Sequence, residues 1–473
     1  MASSTTPGTS KASAWFKIHD EFSESAVALT FAEAFEAEWR FNTDDGMWLE
    51  WVGTHWARNR KHQILEAIRQ MTARLAKGFS KAQRITEHTA IKFQSQRTVT
   101  AIETLCRSLP QFTITSDALD GNDFLLGTPA GTIDLTSGEL YPARPEDYIT
   151  ILTPVSPAPP GTPCPDWQEF LDKVTADDRD LQRTLQQWSG NSAAGSARDQ
   201  YIMFLYGEGR NGKGEFCNVV HMLLGDHIRG APHNFFLEKR YPGHLTEKMG
   251  VLTSRGVHAD EISKGGAWDI GLIKSLTGGG IQEARFSRMD LQKLRMRATI
   301  TILGNTKPEV KDIDDAVRDR FLLVTFPVYI KPEERIVELH KKLVTAEGPA
   351  ILRWIIDGAV DRERSGRLHI AAAIREGTKE YMDDENTLGD FIKECLETTA
   401  EAQEEADTGA VFEAGEAYFR AEKRQIPGKK AFTTAVLKAT RTVLRPSNGR
   451  RLYRGLRLKN NDLSNILPPR AGS

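Results

Sequence analysis

Little in this chain of 473 residues points outside the cell or into a membrane. Its four cysteines, Cys106, Cys164, Cys217 and Cys395, lie far apart and form neither a CxxC pair nor a Cys/His ligand spacing. That excludes a disulfide framework and a zinc ribbon, and leaves reduced thiols of the cytoplasmic kind. No run approaches ~18 apolar residues, so no membrane span is expected. The opening MASSTTPGTSKAS lacks the apolar core of a signal peptide and reads as a disordered lead. No internal repeat is found. A net charge of −2 names no partner, although its distribution does. The 40% apolar content is ample for the cores of two to four domains.

What is present concentrates around YIMFLYGEGRNGKGE, Tyr201 to Glu215. Tyr201 to Tyr206 is a short unbroken apolar run, as in a strand buried on both faces of a parallel sheet. Gly207 to Lys213 then fits GxxxxGK, and Phe216, Val219, Val220 and Leu223 follow at helical spacing. A glycine loop between strand and helix lets successive N–H groups turn around a phosphate. The helix adds its positive end, and Lys213 a mobile ammonium. Gly207, Gly209 and Gly212 are the permissive positions. One element is missing: Gly214 follows the lysine where Ser or Thr normally puts a hydroxyl on magnesium, and Glu215 comes next.

Downstream, GVHADE (256–261) is a short apolar approach ending in Asp260 and Glu261. At a strand end beside a triphosphate, Asp260 would orient magnesium through its water shell and Glu261 would polarise the attacking water. RFSRMDLQKLRMR (285–297) carries Arg285, Arg288, Lys293, Arg295 and Arg297 on a hairpin-like alternation. Such a hairpin either meets the phosphates of a strand in a pore or is an ordinary solvated hairpin. The β-rich run Thr299 to Leu303 ends at Gly304-Asn305, which places Asn305 to feel a γ-phosphate. Arg318 and Arg320 precede another buried strand in DDAVRDRFLLVTF (314–326).

Towards the N-terminus, Met47 to Ala57 reads as a hairpin whose Trp48, Trp51 and Trp56 form either core, the reading preferred, or a stacking surface. Thr98 to Leu109 and Trp167 to Asn191 read as helical, Asp123 to Leu140 as short strands, and Pro154 to Pro165 as a link. At the other end, an acidic stretch from Asp383 to Asp407 gives way to a basic one from Arg420 to Lys459. Helices at 411–421 and 431–444 and a strand at 451–458 are compatible with a winged helix. Lys430, Lys438, Arg441, Arg451 and Arg454 are then its expected DNA contacts, with the acidic stretch as a shield when DNA is absent.

The motifs GEGRNGKGEF, HADEI, LIKSLTGGGIQEARF, TILGNTKP and DDAVRDRFLLVTF, in this order, resemble the superfamily 3 helicases of phage and plasmid primase-helicases, which are similar to the poxvirus primase-helicase. GTPAGTIDLTSGEL, CPDWQEFLD and, after the motor, IREGTKEYMDDENTLGDFI extend the resemblance. It implies an α/β fold: an AAA+-like P-loop motor with a central parallel sheet, preceded by a mainly helical domain and followed by a winged-helix-like one. The implied division is a disordered lead (1–30), a helical domain with short strands (31–195), the ATPase core (196–330), a helical post-motor segment (331–400) and a basic winged-helix-like domain with its tail (401–473).

The resemblance further implies ATP and Mg2+ as ligands, with Gly207, Gly209, Asn211, Gly212, Lys213 and Gly214 around the nucleotide. Asp260 is the metal-side acid, Glu261 the catalytic acid and Asn305 the sensor. Arg320, rather than Arg318, is the finger that acts on a neighbouring subunit's nucleotide. Arg288, Lys293 and Arg295 meet single-stranded or forked DNA. The implied assembly is a homo-oligomer, a hexamer, in a bacterial host's cytoplasm. A separate primase or replication initiator is the implied partner, since no attached primase domain is expected. Gly214-Glu215 departs from the family pattern and keeps a second reading open: an ATP-gated DNA-binding or origin-recognition protein with little turnover.

Overall fold

The computed structural model describes residues 22–195, 198–232, 234–238, 245–259, 266–284, 292–310, 313–399, 404–422, 426–447 and 450–459. The chain opens with α1 (Glu24–Phe35), whose N-cap Ser23 accepts from the Ala26 N–H. There follow β1 (Trp39–Asn42), β2 (Met47–Trp51), β3 (Trp56–Arg58), α2 (Gln63–Lys81), α3 (Glu87–Phe93), α4 (Gln96–Cys106) and β4 (Thr113–Ile114). The sheet order is β3-β2-β1-β4. Trp48 and Trp56 are 6% and 0% exposed, so these rings are core rather than a stacking platform. Burial holds the Cys106 thiol, in the same core, up to about 12, which keeps it inert.

A second small sheet, β5 (Leu125–Thr128), β6 (Gly131–Asp134) and β7 (Glu139–Tyr141), precedes the proline link, and α5 (Pro165–Thr175) and α6 (Arg179–Ala194) follow it. The motor then runs β8 (Ile202–Tyr206), α7 (Lys213–Leu224), β9 (Ile228–Ala231), α8 (Leu245–Thr253), β10 (Gly256–Ala259), α9 (Ile270–Thr277), β11 (Ile281–Ala284), β12 (Gln292–Arg295), β13 (Thr299–Gly304), α10 (Asp315–Arg318) and β14 (Phe321–Thr325). Its five-stranded sheet is parallel throughout, in the order β14-β8-β13-β10-β9.

Because side chains alternate along a strand, each strand of this sheet feeds two cores. Met203, Leu205, Leu322 and Val324 face one, with α5, α6, α7 and the long α11 (Leu339–Ser365). Ile202, Phe204, Phe321 and Leu323 face the other, with Val257, Ile300 and Ile302. Helices α6 and α11 touch at two glycines: a Cβ on Gly190 would lie 2.2 Å from the Ala359 nitrogen, and one on Gly358 2.2 Å from the Gln186 carbonyl oxygen. Residues 31–195 therefore divide, with Trp167, Leu181 and Trp188 belonging to the motor's own core.

After α11 come α12 (Ala372–Asp384), α13 (Thr387–Cys395), β15 (Leu396–Thr398), β16 (Glu405–Asp407), α14 (Thr408–Ala421), α15 (Lys429–Thr440), β17 (Val443–Ser447), β18 (Arg450–Arg454) and β19 (Leu456–Leu458). The sheet β16-β18-β17 against α14 and α15 is the winged-helix-like arrangement. The expected boundary at 401 falls between β15 and β16, and Phe391, Cys395 and Leu396 already belong to this core. The helix expected over 431–444 ends early: Arg441 takes φ +54 and the chain turns into β17.

A buried arginine ties the small sheet to the motor. Arg255, just before β10, donates to the carbonyls of Ala193 (2.9 Å) and Leu125 (2.8 Å). Burial lowers its pKa to about 10, so it stays charged at neutral pH. Gly195, at φ +62, leaves room for its stem, since a Cβ there would sit 2.7 Å from Arg255 Cγ. Charge-assisted hydrogen bonds of this kind contribute roughly 1.5–3 kcal/mol each. Arg255→Ala is expected to cost about 3 kcal/mol, read as a lower urea midpoint by tryptophan fluorescence; an unchanged midpoint would mean that the carbonyls are satisfied without it.

Candidate nucleotide-binding site and nucleic-acid interface

The turn after β8 is shaped by three glycines with different duties. Gly209 and Gly212 take φ of +93 and +91, and a Cβ on Gly212 would also lie 2.5 Å from Val174 Cγ1. A Cβ on Gly207 would meet the Asn211 side-chain nitrogen at 1.8 Å. Arg210, a non-glycine, is held at φ +55 between them. Helix α7 then starts at Lys213, so its unpaired N–H groups point into the turn.

The lysine lies along this turn. Lys213 is 5% exposed, and its Nζ donates to the Gly207 carbonyl (2.8 Å), Asn211 Oδ1 (3.0 Å) and Asn305 Oδ1 (3.0 Å). Asn305 reaches it because β13 pairs in parallel with β8, Gly304 opposite Tyr206, so both strands end at the same edge. A buried ammonium needs such acceptors, and each of these oxygens is one that a phosphate could replace. Gly214 is exposed, with nothing near its missing Cβ.

Glu215 does something else. Its Oε2 accepts from the His340 N–H (2.7 Å) and lies 2.8 Å from His340 Nδ1, at the start of α11. The carboxylate thus caps the first turn of the helix that follows the motor, favourable for charge and for an orphan donor alike. Among the described residues the position after the lysine therefore carries no hydroxyl, the Glu215 carboxylate is committed to His340, and no group of three His, Cys, Asp or Glu side chains could hold a metal. Asp260 and Glu261 follow Ala259, the last residue of β10, and lie outside the described residues. Their neighbour His258 is driven down to about 3 by burial and then by His221, so it is neutral at physiological pH.

Arg320 sits at the opposite edge. It immediately precedes β14, Phe321 pairs with Ile202 at the start of β8, and its carbonyl accepts from the Ile202 N–H. A five-residue strand at ~3.3 Å per residue separates it from its own phosphate loop by roughly 17 Å. Its Nε donates to Thr277 Oγ1 (3.1 Å), while Arg318 pairs with Asp383 (2.8 Å). Both line a cleft of about 620 Å3 with Arg375 and Lys379.

The hairpin β11–β12 pairs Glu283 with Lys293 and Ile281 with Arg295. Arg288 lies outside the described residues, and of Lys293 and Arg295 only the backbone is described. In the C-terminal unit Lys430, Arg441, Arg451 and Arg454 are exposed, and Lys438 is described only by its helical backbone. Part of the acidic stretch is built into this unit: β15 pairs with β19 and β16 with β18. Its side chains neutralise basic ones, Glu405 with Arg445 (3.0 Å) and Glu397 and Glu404 with Arg457 (2.8 and 3.2 Å).

Sequence reasoning missed the Glu215–His340 link, the Arg255 tie and residues 327–338, which run by the phosphate loop. The signal for the first was present, a carboxylate on α7 and a polar helix start 125 residues on, but nothing local joins them. Loss of a helix-capping acceptor costs ~1 kcal/mol. Glu215→Ala should lower the thermal midpoint, and Glu215→Gln, which keeps an acceptor for the His340 N–H, should recover most of it; equal loss in both would assign the effect to charge alone.

Comparison with known proteins adds three likenesses. Residues 28–176 match the family described as D5 N terminal like. The protein "Putative helicase L207/L206" of Acanthamoeba polyphaga mimivirus is 24% identical over 233 residues, 47% of this chain and 24% of the relative, so the match spans about a quarter of that protein's length. The apo structure of the NrS-1 C-terminal region (305–718) aligns with 92% of this chain and 100% of its own at TM-score 0.50 and 10% identity. An A-form apo structure of the same region aligns over 92% and 99% at 0.47 and 11%. The first solved structure shares the fold, and the family match and the mimivirus relative fit a primase-helicase family.

Proposed function

We propose that the chain is the ATP-driven motor of a DNA helicase serving replication of a phage or mobile element, working as a ring of identical copies. The observation that carries this reading is the sheet's pairing: β8 and β13 bring Lys213 and Asn305 to one edge, and β14 puts Arg320 at the other. An arginine about a strand's length from its own phosphate loop suits action on the nucleotide of an adjacent copy, where such a group is worth on the order of a thousandfold in rate. In this reading a triphosphate draws Lys213 from its three oxygens, Asn305 follows the γ-phosphate, and Glu261 polarises water. Asp260 is the residue proposed to hold Mg2+ through water. A hexamer is the ring proposed, with single-stranded or forked DNA meeting Arg288, Lys293 and Arg295, and a separate primase or initiator as partner. The likeness to the mimivirus protein "Putative helicase L207/L206" supports the class.

The commitment of Glu215 to His340 and the bare Gly214 favour one second reading, an ATP-gated DNA-binding protein that turns over little. ATP hydrolysis with and without single-stranded DNA, beside Glu261→Gln, separates the two. DNA-stimulated turnover lost in the variant is expected; nucleotide binding without turnover under any DNA condition would establish the second reading.

Lys213→Ala is expected to abolish turnover with the melting profile retained, and Arg320→Ala to abolish turnover while sparing ATP binding. Mixing the two inactive variants should restore part of the activity, because Lys213→Ala subunits lend Arg320 to intact phosphate loops. A mixture as inactive as its components would remove the finger assignment.

On the C-terminal unit, neither Lys430 nor Arg451 has an ion pair among the described residues, whereas Arg445 and Arg457 are neutralised by the chain's own carboxylates. The double variant Lys430→Ala/Arg451→Ala should reduce the slope of log affinity for duplex DNA against log salt by about 2, near 0.9 per phosphate contact. An unchanged slope would place the duplex elsewhere.

A further inference from the structure

Leaving β14, the chain does not pass directly into α11 but runs by the phosphate loop as a strap, residues 327–338. The Ile330 N–H donates to the Arg210 carbonyl (2.9 Å) at the loop's tip. The Tyr329 hydroxyl accepts from Arg335 Nη2 (3.2 Å) with the Arg210 side chain nearby, and Arg335 Nε also donates to the Ile330 carbonyl (3.2 Å). Glu334 pairs with Lys173 of α5 (2.9 Å), and the chain beyond the strap is held by the Glu215–His340 cap. The segment is therefore tied to the loop, to α5 and to α7 at once, which fixes it relative to any phosphate the loop holds.

Ile330 packs against the motor's core, but other apolar side chains of the segment stay open. Tyr329 is 58% exposed, Ile336 50% and Val337 80%, among the few large apolar side chains exposed in the described residues. The Arg335 guanidinium lies over one side of the Tyr329 ring, 5.8 Å from its centroid, and its hydrogen bond to the phenol restrains a ring that stays largely exposed. An exposed ring next to the tip of a phosphate loop, with Val337 exposed on the same strap, has one natural occupant. A nucleotide whose phosphates lie at Lys213 must place its base and ribose outside the loop, and a base is flat with an apolar face. We infer that the strap, chiefly Tyr329 with Val337, is the platform on which the base of the bound nucleotide stacks. This rests on the proposed phosphate loop and deepens it by assigning the base to residues that no motif marks.

Calorimetric titration of the full chain with ATP and with inorganic tripolyphosphate tests it, because only ATP carries a base. Stacking on an aromatic side chain is worth ~1–3 kcal/mol, so Tyr329→Ala should weaken ATP roughly tenfold and leave tripolyphosphate unchanged. Tyr329→Phe, which keeps the ring and loses the hydroxyl, should bind ATP as the unaltered chain does. Val337→Ser, at a position too exposed to disturb folding, should weaken ATP alone and less. Equal weakening of both ligands by Tyr329→Ala would make the ring a prop for the loop and overturn the platform. So would an unaltered chain that binds ATP no more tightly than tripolyphosphate, while the phosphate-loop reading stood. An unaltered chain that binds neither would remove that reading and the platform with it.

Discussion

The arrangement depends on one strand. β8 is buried along almost its whole length and is flanked by β13 and β14, both parallel to it, so every feature of the motor is referred to its two ends. Parallel pairing makes the C-terminal edge common to the phosphate loop and Asn305 and the N-terminal edge common to Arg320 and the cleft beside it. No local sequence choice could bring Arg320 to Lys213 within one copy without breaking that pairing. The same constraint selects Val, Ile, Leu, Met and Phe along these strands, because each strand must fill a core on either face.

The pre-motor and post-motor parts are organised by how closely backbones approach that sheet's outer helices. Gly190 and Gly358 allow α6 and α11 to touch, and a side chain at either would push one helix off the other. Arg255 then ties α6 and β5 to the foot of β10 through the carbonyls of Ala193 and Leu125. The region matching the D5 N terminal like family therefore ends inside the motor's own core, since Trp167 and Phe170 of α5 pack there.

Much of the fold was legible because it rests on period and punctuation. The β8–loop–α7 unit, β13 and β14 are each announced by an apolar run ended by glycine or by charge. Trp48 and Trp56 read as core and are core, whereas Trp51 is half-buried. What was illegible rests on pairs far apart in sequence. The acidic stretch reads as a shield of the basic one, and nothing local shows that β15 and β16 place Glu397, Glu404 and Glu405 in or beside the strands that pair with β19 and β18. Helix α15 was read four residues too long because Arg441 carries no mark of its φ of +54. The roles proposed for Asp260, Glu261 and Arg288 were legible as motif positions, and those residues lie outside the described ones.

Glu215 brings these threads together. Measured against the usual hydroxyl at this part of the loop it is a defect; in the structure it is a connection, since the same helix that would face a phosphate at its start holds the first turn of α11 through its third residue. Helix α11 in turn packs along α6 and α7. Helix α7, the strap and α11 are therefore joined by contacts that lie outside the sheet, at Arg210 and at Glu215. A hydroxyl at that position would be too short to reach His340. The loop thus carries a joint to α11 near the place of the usual hydroxyl.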